Sequence, residues 1–444
     1  MSTAAFDNFQ GPNNTPANFP YGIRIGVGVY GDNVNNIGIP GQPGFGVGIC
    51  PGPLPAGMCG ISGYTDPLSE SYGNYRFSDG SQMVWIPAFY YKWGTGANGL
   101  AINAVDIKPF SQYASVAAAA AAGYALHRAF YDGGAIKQGV FVDKYQCSNN
   151  NGIASSIKNG NPLSSAAAHN PFAGLTGAPA NSYYGAIAAA KTRGANFFCN
   201  TRFIFAALAM LAYAHGQAST NTTYCAWYHA TNNFPKGCNN NALRDTNDTE
   251  VLYVSDGYSN CGKTGSANLF ARTTHNGQNS GVADLNGNMW EITPGLTSNG
   301  TNIYVLKTTA GMKDVTSGNT LATDLWGDTG IAALYDDLGT TYGAAWETGA
   351  NRTTYYGSAA QVFSEATSGK AWNWAGLGGM LVAGVGGTNA FGSDGFWDYK
   401  PNEMCPLSSG RWAGGSDAGV WAFYLNAVRS SSDGSVGFRA ALYL

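Results

Sequence analysis

The segment Gly257-Tyr258-Ser259-Asn260-Cys261-Gly262-Lys263-Thr264 satisfies G-x4-G-K-[ST], the spacing with which a glycine-rich loop cradles phosphate oxygens in backbone amides. That chemistry needs a helix directly after the loop, whose N-terminal amides and dipole meet the phosphate. Here Gly265 follows at once and Asn276-Gly277 closes the segment, with no apolar strand ending in aspartate to hold magnesium. The motif therefore reads as a structured loop. Neither G-x-S-x-G nor H-E-x-x-H occurs, so two common hydrolase signatures are missing. Asp336-Asp337 is an acidic pair in a turn-like stretch, either a solvated loop or a place for structural calcium, without EF-hand spacing. The eight cysteines form no C-x-x-C, and the five histidines are scattered, so no zinc spacing is present. Cys50 and Cys59, or Cys225 and Cys238, are close enough in sequence for local disulfides, a question spacing leaves open.

Composition narrows the partners. Only 11% of residues are charged, the net charge is −3, and no basic run exists to neutralise phosphates, which argues against nucleic acid. No run of 18 apolar residues occurs, so no membrane insertion is expected. Met1-Ser2-Thr3-Ala4-Ala5-Phe6-Asp7-Asn8 has neither the basic region nor the apolar core of an export signal, so synthesis in the cytoplasm is expected. Aromatic residues at 13% exclude a disordered chain, and 62 glycines point to many turns with positive φ.

These residues need elements to position them. Residues 1–80 are rich in Pro, Gly and Asn, with a short alternating run Ile23–Tyr30, and read as a small β or extended attachment module. Met83 to Trp93 reads as a strand interrupted by Pro87, with Ile102 to Ile107 as its neighbour. Ser111 to Ala122 is alanine-rich with Gly123 just beyond, which predicts a helix and its C-terminal cap. Gly139 to Tyr145 predicts a strand, and Asn181–Thr192 and Thr201–Ala214 predict helices. Short strands are expected near Val251–Val254, Asn302–Leu306 and Gly437–Leu444. The class is α+β: two or three helices on a small, twisted, mostly antiparallel sheet with long ordered loops, which usually carry function.

One further constellation is informative. Asp284-Leu285-Asn286-Gly287-Asn288-Met289-Trp290-Glu291, then Gly410-Arg411-Trp412, then Gly437-Phe438-Arg439 resemble the marks of the formylglycine-generating-enzyme type of C-type lectin-like fold. Asp143-Lys144-Tyr145 resembles that family's D-K-Y-E strand, and the helix pair at 181–214 occupies the place of its two helices. The resemblance covers about residues 81–444. By itself, Trp290, Trp412 and Phe438 read as core aromatics and Arg439 as a tie between loops. The oxidase branch of the family uses two cysteines near the C-terminus, whereas only Cys405 follows Cys261 here, and the three-histidine iron branch has no counterpart.

The stretch of about 394–436 resembles more closely the variable region of retroelement-diversified proteins, the group that includes phage tropism determinants. Its frame is Trp412, Gly415, Ser416, Ala418, Gly419, Val420, Trp421, Ala422, Leu425, Arg429 and Val436 to Arg439. The intervening slots are Ala413, Gly414, Asp417, Tyr424, Asn426, Ala427, Ser431, Asp433, Gly434 and Ser435, all reachable from an asparagine codon by adenine-directed mutation. Phe396, Asp398 and Tyr399 are added to the same surface, although Trp397 and Lys400 beside them depart from the codon rule.

The resemblance implies a phage tail-fibre protein, located in the virion, that binds a bacterial surface receptor (protein or saccharide) through these slots. It also implies contacts with other tail or fibre proteins and a homotrimer, with no catalysis and no cofactor beyond a structural calcium. The rivals are a host-encoded diversified surface protein and a formylglycine-generating-type oxidase.

Overall fold

The computed structural model describes residues 36–102, 104–176, 182–315, 333–338, 352–356 and 391–444. Hydrophobic runs build two six-stranded sheets. In the main sheet the strand order is Cys59–Gly60, Asn74–Arg76, Gln82–Pro87, Gly139–Asp143, Ala440–Leu442 and Phe198–Cys199, and every pairing is antiparallel. The second sheet runs Arg352–Tyr355, Gly395–Asp398, Phe423–Tyr424, Leu407–Ser409, Trp290–Ile292 and Val436–Gly437, and mixes antiparallel with parallel pairs. Four sheets of two or three strands complete the described β structure. Among the described residues, the expected single small sheet is thus replaced by several small sheets with few helices.

Pro87 ends one strand, and the chain re-enters as Phe89–Trp93 in a different sheet, paired with Val105–Pro109 and Ala125–Leu126. The expected interrupted strand is two strands, since proline has no N–H to continue the ladder. Helix Val116–Ala121 is shorter than expected. The Ser115 hydroxyl accepts from Ala118 N–H at its start, and Gly123 (φ +81°) follows its end. Helices Ser182–Ala190 and Arg202–Ala218 lie where the sequence places them. The second is capped by Thr201 and buried along nearly all its length. Val251–Val254 forms no strand: Leu252 makes only an isolated bridge to Arg244, and Leu252 and Val254 are exposed.

Residues 1–35 of the expected attachment module lie outside the described residues. The rest of it does not stand apart, since Ile37, Phe45, Val47 and Tyr72 join the same core as Val84, Val142 and Leu211. All eight cysteines are free thiols, so neither local disulfide pair forms. Asp336 and Asp337 sit in strand Tyr335–Asp337 rather than a turn, with Asp337 accepting from Asn302. No helix among the described residues is long and apolar enough to cross a membrane.

One buried ion pair holds the centre. Arg439 donates through Nε and Nη2 to Glu291 at 2.6 and 2.5 Å, and to the carbonyls of Asp143 and Ala283. It thereby joins strands of both six-stranded sheets. Asp143 is itself clamped by Arg193, with Nη1–Oδ1 at 2.5 Å.

Candidate functional site

The stretch after Ser409 alternates between the core and the open side of the second sheet. Ala418, Val420, Trp421, Ala422, Phe423, Leu425, Arg429 and Val436 are buried, while Tyr424 and Asn426 between them are half-buried and face outward. Gly419 belongs to the inner set for a steric reason: a Cβ there would lie under 3.0 Å from the Asp394 carboxylate. That carboxylate accepts from Trp421 N–H at 2.7 Å and is buried, so its pKa is pushed well above the ordinary carboxyl range by desolvation.

The outward residues enclose an open pocket of about 930 Å³. Of the positions singled out in the sequence, Ala413, Gly414, Asp417, Tyr424, Asn426, Ala427, Ser431, Asp433 and Ser435 line it. Four do not. Phe396 is fully buried, stacked on Phe423 at 5.9 Å and against Tyr356, because strand alternation turns it inward. It is a core residue, not a contact residue. Gly434 lies behind the pocket edge, with its carbonyl turned to His169 and Tyr258 filling the space a side chain would need. Tyr399 is half-buried outside the pocket lining, and of Asp398 only the strand backbone is described.

The pocket also contains residues outside the candidate slots: Trp290, Trp397, Leu407, Arg411 and Ser432, together with Gly415, Ala418 and Val436 of the frame. Trp397 takes the face opposite Phe396, as strand alternation requires once Phe396 is packed on Phe423. Trp290, Trp397 and Tyr424 pack with centroids 5.4–5.6 Å apart and form an aromatic floor. Polar groups rise around it. Asp417 Oδ1 accepts from Gly415 N–H at 3.0 Å, and Asp433 Oδ1 accepts from both N–H and Oγ–H of Ser435 at 2.7 and 2.6 Å. These local bonds fold each loop back on itself and fix its direction. Arg411 and Asp433 face each other at 4.0 Å, both largely exposed, so their attraction is weak and either is free to turn toward a ligand.

Such a lining stacks flat apolar groups on its floor and offers hydroxyl, amide, carboxylate and guanidinium groups at its edge. A volume of this size suits a small-molecule or side-chain ligand. The phosphate-loop motif, by contrast, forms no cradle. An isolated bridge joins Ser255 to Gly262, Lys263 N–H is taken by Val254, and the buried Thr264 hydroxyl bonds Ile157. The helix it would require is absent, since only loop and the short 3-10 turn Phe270–Thr273 follow.

No protein-family model matches the chain, and no curated protein does. Among solved structures, the chain is similar to one titled "Major Tropism Determinant U1 Variant". The alignment covers 88% of this chain and 73% of that one, at 13% identity and a TM-score of 0.29.

Proposed function

We propose that this chain is a receptor-binding protein of a phage tail fibre, with a C-type lectin-like scaffold. On this reading its pocket binds a ligand on the bacterial surface, protein or saccharide, and performs no catalysis. The observation that carries the reading is the convergence of scattered slots. Nine of the positions spread from 413 to 435 come together on one open pocket, with Gly415, Ala418 and Val436 of the frame beside them, while Gly419 to Ala422, Leu425 and Arg429 of the frame are buried. A rigid sheet with changeable side chains at alternate positions is the arrangement that lets a site vary without unfolding. Tyr, Ser, Gly, Asn and Asp, which dominate the slots, are the residues with which antibody loops combine rigid aromatic area and adaptable hydrogen bonding. The resemblance of 410–439 to retroelement-diversified variable regions supports the same reading. A homotrimer carried in many copies on a virion would raise weak single-site binding through effective concentration.

The test is deep sequencing of codons 394–436 across a propagated population, together with binding of the purified chain to a panel of bacterial cells. The expected result is substitution concentrated at 413, 414, 417, 424, 426, 427, 431, 433 and 435, with Trp412 and Gly437–Arg439 constant. Saturable binding to some strains is expected with it. Uniform codons would remove diversification, and absence of binding to every strain would remove the receptor role.

A further inference from the structure

Behind the pocket lies a group of buried side chains with the chemistry of metal ligands. His169 belongs to the 164–172 loop, and Asp256 and Cys261 lie in the 255–262 turn, which overlaps the G-x4-G-K-[ST] motif. One ligand atom from each lies within 4.8 Å of the other two. The His169 and Asp256 side chains are 2% and 0% exposed, and Cys261 is fully buried. Imidazole nitrogen, carboxylate oxygen and thiol sulfur are together the donor set of zinc.

A second observation concerns how His169 is held. Its Nδ1 sits 2.5 Å from the Gly434 carbonyl, which can only accept, so Nδ1 carries a proton and Nε2 is the atom turned into the group. Tyr258 stacks on the ring at 4.1 Å with planes 7° apart, which fixes its orientation. A histidine whose outer nitrogen donates to a backbone carbonyl is the usual support of a metal-bound imidazole. On the far side, Met289 Sδ and Asn288 Oδ1 lie 3.7 and 3.6 Å from Cys261 Sγ, so soft and hard donors are both within reach of a fourth position.

We propose that His169 Nε2, the Asp256 carboxylate and Cys261 Sγ bind one zinc-type transition-metal ion. Bond lengths of about 2.0–2.3 Å place neighbouring ligand atoms roughly 3–4 Å apart. The present 2.6 Å contact between His169 Nε2 and Asp256 Oδ2 widens, and the thiol closes in. Binding releases to solvent the Cys261 Sγ proton and the proton shared in the His169 Nε2–Asp256 Oδ2 contact, and the ion takes the lone pairs so freed. Without a cation, burial beside Asp256 keeps Cys261 a neutral thiol, its pKa pushed up. Because His169 holds the Gly434 carbonyl, the ion fastens the Asp433–Ser435 edge of the pocket to the 255–262 turn. The site stands whatever the pocket binds.

The test is metal analysis and Co²⁺ titration of the full chain, purified without a metal-chelating tag. The expected results are about one Zn²⁺ retained per chain after exposure and removal of excess, and with Co²⁺ a thiolate-to-metal charge-transfer band. The band is lost in Cys261→Ser and strongly weakened in His169→Gln. It is unchanged in Cys59→Ser, which removes the exposed thiol. If Cys261→Ser fails to fold, the spectrum of the parent chain and of Cys59→Ser decides. No retained zinc, a cobalt spectrum without the charge-transfer band, or a band that survives Cys261→Ser would each overturn the proposal.

Discussion

A methyl group at residue 419 tests the division between buried frame and open slots at one atom. In Gly419→Ala the new Cβ falls under 3.0 Å from three atoms of the Asp394 carboxyl group, which is itself buried and cannot retreat into solvent. Two costs follow. Overpacking a close-fitted interior costs about 1–3 kcal/mol. Pushing the carboxylate aside breaks its 2.7 Å bond from Trp421 N–H, and an orphaned buried amide costs about 1–3 kcal/mol more. Against these stands the entropic gain of replacing glycine, about 0.4–1 kcal/mol. The expected net loss is ~2–4 kcal/mol. Ala413→Thr, at the half-buried pocket edge, changes stability by no more than about 0.5 kcal/mol.

Denaturant unfolding of both variants, with the slope checked for constancy, gives the comparison. A double-mutant cycle with Asp394→Ala isolates the contact, and its coupling energy should be ~1–3 kcal/mol because the second change removes what the methyl strikes. A Gly419→Ala loss no larger than that of Ala413→Thr, or an additive cycle, would refute the steric account.

Other predictions concern binding and titration. Tyr424→Ala removes one of the three floor aromatics and should weaken binding to cells that hold the parent chain by ~2 kcal/mol, about thirtyfold. Retained affinity in both Tyr424→Ala and Asn426→Ala would put the ligand elsewhere. Asp394→Asn keeps the acceptor for Trp421 and removes a charge whose burial raises its pKa. It should stabilise the chain at pH 7, with the gain vanishing as pH falls into the ordinary carboxyl range; a loss at pH 7 contradicts this. His275 is held neutral between Gly46 and Val282, and burial lowers its pKa to about 4. Its contribution is complete above about pH 6.5 and is lost as pH falls toward 4. The stability gap between parent and His275→Gln should therefore shrink by on the order of 3 kcal/mol over that range, and a pH-independent gap rules it out. Asp284, raised to about 6 by burial, runs in the opposite sense, which is why the gap and not the parent's own curve is the quantity to measure.

What could be seen in the sequence was local. Ser115 and Gly123 bracket a helix because one side chain and one backbone conformation decide its ends. The slots between Trp412 and Val436 came from the resemblance, and nine of the ten line one pocket, although Ala427 and Ser435 among them are buried. Phe396 was misplaced because a phenylalanine at a strand position gives no sign of which face it takes until its partner, here Phe423, is known. Val251–Val254 has the composition of a strand, but no neighbouring chain offers a ladder beyond one bridge. His169 and Asp256 stand 87 positions apart, a separation that no ligand-spacing rule covers.

The residues Val436–Leu442 belong to both six-stranded sheets: Val436–Gly437 runs beside Trp290–Glu291, and Ala440–Leu442 lies between Gly139–Asp143 and Phe198–Cys199. A chain broken off anywhere in 413–435 would lose more than an edge of the pocket. It would lack a central strand of the main sheet, and Glu291 would be left buried without Arg439. On the proposed reading, every frameshift or stop codon introduced at 413–435 yields an unfolded polypeptide instead of a displayed but faulty binder. On that same reading the fold acts as a proofreading step for mutagenesis of the slots, because only chains read in frame through codons 413–435 gain the Ala440–Leu442 strand of the main sheet.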